Sequence, residues 1–135
     1  MFCDSVTDIE FLWQLCLKIR VYAPPEFWTV SRDELRRSYN GVGPEHWPQW
    51  ARKALSVLLR QFAVAALVHD WEYSRQYKSW GMFCDANLRL AMNIGKLALY
   101  ERRPVLIFYG IAAGLLCQLF GYKSYCEGKL REVVE

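Results

Sequence analysis

A histidine, a carboxylate and a phenol stand together in the run Ala65–Tyr73, spaced as H-D-x-x-Y: His69, Asp70 and Tyr73. On a helix His69 and Tyr73 share one face, while Asp70 lies about 100° round the axis. A histidine and an acid this deep in apolar sequence cost free energy unless each finds a partner. An imidazole with one nitrogen held by an acceptor can take a proton from water with the other. In an antiparallel helix hairpin turning about Tyr77, position 85 mirrors position 69, and position 85 is an aspartate. Asp85 is therefore expected to bond His69, fix its tautomer and stabilise the imidazolium, forming a His-Asp dyad. Asp70 points away from that pair and is placed to meet a metal. The loop Tyr39-Asn40-Gly41-Val42-Gly43 offers backbone carbonyls to the same ion. Carboxylate plus carbonyl oxygen suits a hard cation such as calcium, and a single acid implies weak affinity, on the order of 10⁻⁴–10⁻³ M.

Each of these residues also has a purely structural use. His69 could be a core histidine bonded to a carbonyl. Asp70 could cap a helix or pair with Arg75 or Arg89. Tyr73 and Trp71 have the spacing of core aromatics. Tyr39-x-Gly41-x-Gly43 could be a helix-ending turn. Asp85 could be a first-turn acid favoured by the helix dipole. The coincidence of all five is what points to chemistry.

The elements that must hold these residues read as helices throughout. Asp4 or Ser5 caps a first helix whose stripe is Phe11, Leu12, Leu15, Cys16 and Ile19, ending near Tyr22 before Pro24-Pro25. Ser31-Arg32-Asp33-Glu34 is a capping box for a short helix ending near Ser38. Pro48 opens a long helix through Ser74, and a third main helix spans about Met82 to Tyr100. Pro104 opens a last helix through Phe120, with Gly121 as its stop. No strand-like alternation, repeat or linker interrupts this all-α pattern, so residues 1–135 form one domain.

Composition sets the class. With 135 residues, 53% hydrophobic and 16% aromatic, the chain has enough apolar surface for a real core and too much for disorder. A net charge of +3, with no basic run, falls short of a nucleic-acid footprint. Cysteines 3, 16, 84, 117 and 126 are odd in number and lack a C-x-x-C pair, which suggests reduced thiols in an intracellular protein. The start Met1-Phe2-Cys3-Asp4-Ser5 carries no secretory signal pattern, so a cytoplasmic location is expected, with membrane-surface association left open.

A Y-x-G-x-G loop, a helix with H-D-x-x-Y and a downstream aspartate on a facing helix together resemble the phospholipase A2 superfamily. The likeness is closer to its disulfide-poor branch, the parvoviral and phage-type domains. It covers roughly residues 39–95. The resemblance implies His69 as catalytic base, Asp85 as its orienting acid and Tyr73 as a supporting phenol. It also implies Asp70 with the carbonyls of Tyr39, Gly41 and Gly43 as calcium ligands, and phospholipid acyl esters at a membrane surface as substrate. The chain departs from the secreted enzymes in lacking cysteines beside the His-Asp pair, and in carrying Pro44 after the loop's last glycine.

Val105–Phe120 is almost wholly apolar. At about 24 Å it is shorter than the ~30 Å hydrocarbon core, so it is expected as a buried helix packing its small residues on the His69 helix. Two further functions stay open beside the hydrolase. One is a non-enzymatic phage, prophage or bacterial structural or interaction protein that keeps the fold. The other is a small membrane-associated protein using Val105–Phe120.

Overall fold

A computed structural model describes residues 6–39, 47–59 and 62–129. The chain forms α1 (Val6–Ile19), a 3-10 turn (Pro25–Thr29), α2 (Arg32–Ser38), α3 (Gln49–Leu59) and α4 (Ala63–Ser74). There follow α5 (Trp80–Tyr100), a second 3-10 turn (Pro104–Leu106), α6 (Ile107–Phe120) and α7 (Tyr122–Glu127). Among the described residues there is no strand, as the all-α pattern predicts.

Local chemistry sets the helix ends. The Ser31 hydroxyl accepts from the Glu34 amide at 3.1 Å, so the predicted cap opens α2. Ser79 does the same for α5, accepting from the Met82 amide at 3.1 Å, which starts that helix at Trp80 rather than Met82. The expected caps Asp4 and Ser5 lie outside the described residues.

The single long helix expected from Pro48 to Ser74 is instead two helices, α3 and α4. Phe62 breaks it with a backbone at φ −124° and ψ 44°. The break seats the fully buried Phe62 ring edge-on to Tyr109, with centroids 6.3 Å apart. It also turns α4 into the middle of the molecule, where every residue from Ala63 to His69 is buried. Helices α1, α2, α3, α5 and α7 all pack on it.

Aromatic rings fill the core on one side of α4. Phe27, from the first 3-10 turn, lies 5.5 Å from Trp13 and 5.4 Å from Trp71. The indole nitrogen of Trp71 donates to Glu34 at 2.8 Å, giving the buried ring its polar partner. Asn93 ties α5 to the end of α1: its oxygen accepts from the Tyr22 amide at 2.7 Å, and its nitrogen donates to the Tyr22 carbonyl at 2.9 Å.

Helix α6 departs from expectation. Its two glycines meet α5. A Cβ added at Gly110 would stand 2.7 Å from the Ala91 carbonyl oxygen, and one at Gly114 would stand 3.2 Å from the Ala91 side chain. Such close approach requires a residue without a Cβ. The opposite face of α6 is open: Phe108, Ile111, Leu115 and Leu119 are all exposed. Only Gly110, Ala113 and Cys117 of this helix are buried, so the segment is a half-covered helix rather than a buried one. Among the described residues no helix is long and apolar enough to cross a membrane.

Candidate functional site

Helix α4 carries His69 and Tyr73 on one face, their ring centroids 4.1 Å apart and their planes tilted by 42°. Helix α5 runs antiparallel beside it, and the residue it presents to His69 is Asn87. Its Oδ1 lies 3.0 Å from His69 Nε2 and accepts from the Tyr73 hydroxyl at 2.8 Å. The Asn87 amide nitrogen donates to Gln118 Oε1 of α6 at 2.9 Å. Gln118 in turn donates to Cys84 Sγ at 3.3 Å. This chain of bonds crosses three helices and satisfies each amide in a region where an orphaned polar group would cost about 1–3 kcal/mol.

The expected partner of His69, Asp85, is not there. It is exposed, and the charge it faces is Arg89, one turn further along α5. Two residues on a helix are some 200° apart, so Asp85 and Asn87 cannot point the same way. The inward face of α5 is Phe83, Ala86, Asn87, Leu90, Ile94 and Leu97. A mirrored residue count about the turn ignores that phase.

Asp70, expected to point away from His69 toward a metal, stands beside the ring instead. Its carboxylate lies 3.9 Å from His69 Nδ1, too far for a hydrogen bond but close enough to act on the ring's charge. Its side chain is 19% exposed against 6% for His69, so the site faces solvent on the Asp70 side. Burial opposes charge on His69, but the Cys117 sulfur and the Asp70 carboxylate against the ring outweigh it. The imidazole pKa is raised well above its ordinary value. Burial, reinforced by Cys117, pushes the Tyr73 phenol far up, so it stays a neutral donor to Asn87. A Cβ on Gly121 would stand 2.8 Å from the Tyr73 hydroxyl, so this glycine makes room for the network.

Glu72 and Arg89 form a second polar pair beside this cluster, with Arg89 Nε donating to Glu72 Oε1 at 2.9 Å. Burial raises the Glu72 carboxyl pKa despite the guanidinium. Its Oε2 is buried without a hydrogen-bond partner.

Of the residues expected to bind calcium, Asp70 and Tyr39 lie among those described, and Gly41 and Gly43 lie outside them. Tyr39 is buried at the end of α2, its amide bonded to the Leu35 carbonyl at 3.0 Å. Among the described residues no group of three or more histidine, cysteine or acidic side chains is placed to hold a metal.

A cleft of about 1040 Å³ opens on another side of α4, between the Pro25–Thr29 turn, α2 and the end of α7. Trp71, Arg75 and Lys78 line it, and His69 does not. The Lys78 ammonium donates to the Tyr73 carbonyl and sits 4.7 Å from the Tyr125 ring centre. Burial lowers its pKa to about 8. A lysine that closes the carbonyl end of α4 has a structural use, and the cleft around it carries mixed charge.

Sequence reasoning placed His69 and Tyr73 on one face and missed Asn87, Gln118 and Cys117. The missed signal was polarity out of place: Asn87 interrupts the stripe Phe83, Leu90, Ile94, and Gln118 interrupts an otherwise apolar helix. No protein-family model matches the chain, and no curated protein or solved structure is similar to it.

Proposed function

We propose that the His69 cluster is a hydrolytic centre of phospholipase A2 type in which Asn87 takes the orienting role. The observation that carries this reading is the pair of hydrogen bonds to Asn87 Oδ1, from the imidazole at 3.0 Å and the phenol at 2.8 Å. A histidine so held keeps Nε2 as a donor and turns Nδ1 toward Asp70 and the solvent-facing side. In its neutral form it takes a proton from a water at Nδ1 as the water attacks an ester carbonyl; the acyl C–O bond then breaks and the imidazolium returns the proton to the leaving alkoxide. Tyr73 holds Asn87, and Asn87 holds the ring. An amide oxygen orients an imidazolium but brings no charge to stabilise it, so the centre is weaker than one built on a carboxylate.

Asp70, with carbonyls of the Tyr39–Gly43 loop, would hold calcium. When bound, calcium polarises the ester carbonyl and stabilises the oxyanion. The substrate class is a phospholipid acyl ester, which follows from the resemblance of H-D-x-x-Y and the glycine loop.

The test is fatty-acid release from phospholipid vesicles at millimolar calcium, with calcium binding followed by calorimetry. Hydrolysis should be present in the wild type and abolished in His69→Ala, and calcium binding should be lost in Asp70→Asn. Hydrolysis that survives His69→Ala, or none in the wild type, defeats the reading.

A second reading, a non-enzymatic structural or interaction protein, is favoured by the open apolar face of α6. Under it the same polar network serves to register α4, α5 and α6.

A further inference from the structure

Helix α6 has no charged residue from Pro104 to Phe120. Gly110 and Gly114 face α5, while Tyr109 and Phe120 reach rings of Phe62, Trp47 and Trp50 on the other side. At 100° per residue, Phe108, Ile111, Leu115 and Leu119 point away from both neighbours. Leu119 is 74% exposed, Phe108 69% and Leu115 58%. On α5 the core side is Phe83, Ala86, Leu90 and Leu97, and the residues turned away from it include Leu88, Met92 and Leu99, all exposed. With the two helices antiparallel, both stripes lie on the same outer side of the α5–α6 layer.

We propose that this two-helix face is the interface of a twofold dimer of the chain. The inference rests on packing alone and holds whether or not His69 is catalytic.

Area is the first argument. The seven exposed side chains present on the order of 750 Å² of apolar surface, beyond the ~300–600 Å² of the largest patch on a typical monomer. A standard interface takes about 800 Å² from each partner.

Shape is the second. Ile111, Leu115 and Leu119 form one i, i+4 row, the ridge that interdigitates when two like helices cross. A twofold axis at Leu115 sets Ile111 of one copy opposite Leu119 of the other, which makes the surface self-complementary.

Charge is the third, and it separates a second copy from a lipid surface. A helix lying on lipid carries lysines and arginines along its flanks. Here Arg89 is bound to Glu72, and Lys96 donates to the Arg20 carbonyl. The exposed charges beside the stripe are mixed, Asp85 on α5 and Glu101, Arg102 and Arg103 at the α5–α6 turn, and α6 itself carries none. That rim lacks the basic flanks along the helix that an anionic membrane would reward.

Sedimentation velocity of the full chain over a concentration series tests this. The wild type should pass from monomer to dimer. Leu115→Glu, which sets two carboxylates together at the axis, should weaken the dimer at least a hundredfold. Leu119→Lys should do the same, with circular dichroism confirming retained helix in each. Phe11→Glu, which charges a comparably exposed ring on α1, should leave the dimer intact. A wild type that stays monomeric to its solubility limit overturns the proposal, as does a dimer indifferent to both substitutions. A monomer that floats with phosphatidylglycerol vesicles and ceases to do so in Leu115→Glu assigns the face to lipid and also overturns it. If neither variant folds, the wild-type concentration series decides.

Discussion

Nε2 of His69 lies 3.0 Å from Oδ1 of Asn87, and that one oxygen also takes the Tyr73 hydroxyl at 2.8 Å. Three helices meet through this amide, since its nitrogen donates to Gln118 of α6. Asn87→Leu keeps the volume and removes both functions, leaving an imidazole N–H, a phenol and an amide oxygen without partners. Each orphan costs about 1–3 kcal/mol, and the groups relax together, so urea unfolding should show a loss of about 2–4 kcal/mol.

The raised pKa of His69 makes the fold sensitive to alkali rather than acid. The folded chain holds this proton more tightly than the unfolded one, whose histidine titrates near ~6.5. The stabilisation is therefore complete below about pH 6.5 and fades as pH rises through the folded value. Between those limits the slope approaches about 1.4 kcal/mol per pH unit. Melting curves from pH 6 upward should show it in the wild type and not in His69→Gln. The same shift moves the ascending, acid-side limb of any hydrolysis to higher pH, because the imidazole must lose its proton to act as a base.

The two glycines of the α5–α6 pair that differ most in surroundings give opposite expectations. At Gly110 a Cβ would stand 2.7 Å from the Ala91 carbonyl and 3.1 Å from the Ile94 Cβ, and the backbone cannot yield cheaply. Gly110→Ala should lower stability by about 1–3 kcal/mol through overpacking. At Gly95 a Cβ meets nothing within 4 Å, so Gly95→Ala should raise stability by about 0.5–1 kcal/mol through helix propensity. Thermal unfolding of the two variants checks both signs.

Much of this architecture was legible in the sequence because it follows from short-range rules. The Ser31 cap and Gly121 mark real helix ends, and the H-D-x-x-Y spacing correctly sets His69 beside Tyr73. Helix α1 stops at Ile19, short of the expected Tyr22, because Arg20 turns to a φ of 59°, and Pro25 opens the first 3-10 turn instead. The failures are tertiary. Nothing local breaks the run before Ala63; Phe62 leaves the helix because its ring is buried against Tyr109. The partner of His69 was misplaced by two residues because a count about the turn carries no information on helical phase. The chemistry expected of a partner also favoured an acid over an amide. On α6, apolar composition does not translate into burial, and half of that apolar surface is open.

The most discriminating single change is Asn87→Asp. The introduced carboxylate can still accept from His69 Nε2 and from Tyr73, and it adds a charge in direct hydrogen-bond contact with the imidazolium, closer than Asp70 at 3.9 Å. Its cost is the lost amide donor to Gln118. Gln118 can turn its amide over, so that its NH₂ group donates to the carboxylate and its oxygen faces the Cys84 thiol. No buried group is then orphaned, and the fold should survive with a loss of about 1 kcal/mol or less. A negative charge within hydrogen-bond reach raises the His69 pKa further and stabilises the imidazolium that forms as water is deprotonated. If His69 is a general base, phospholipid hydrolysis measured above its pKa should rise about tenfold, the size expected of one stabilising contact in the transition state. If the network only registers the helices, the same substitution shifts the histidine titration, as seen by NMR, and leaves vesicle hydrolysis at background. A rise in hydrolysis that persists after His69→Ala is added would assign the activity to some other group.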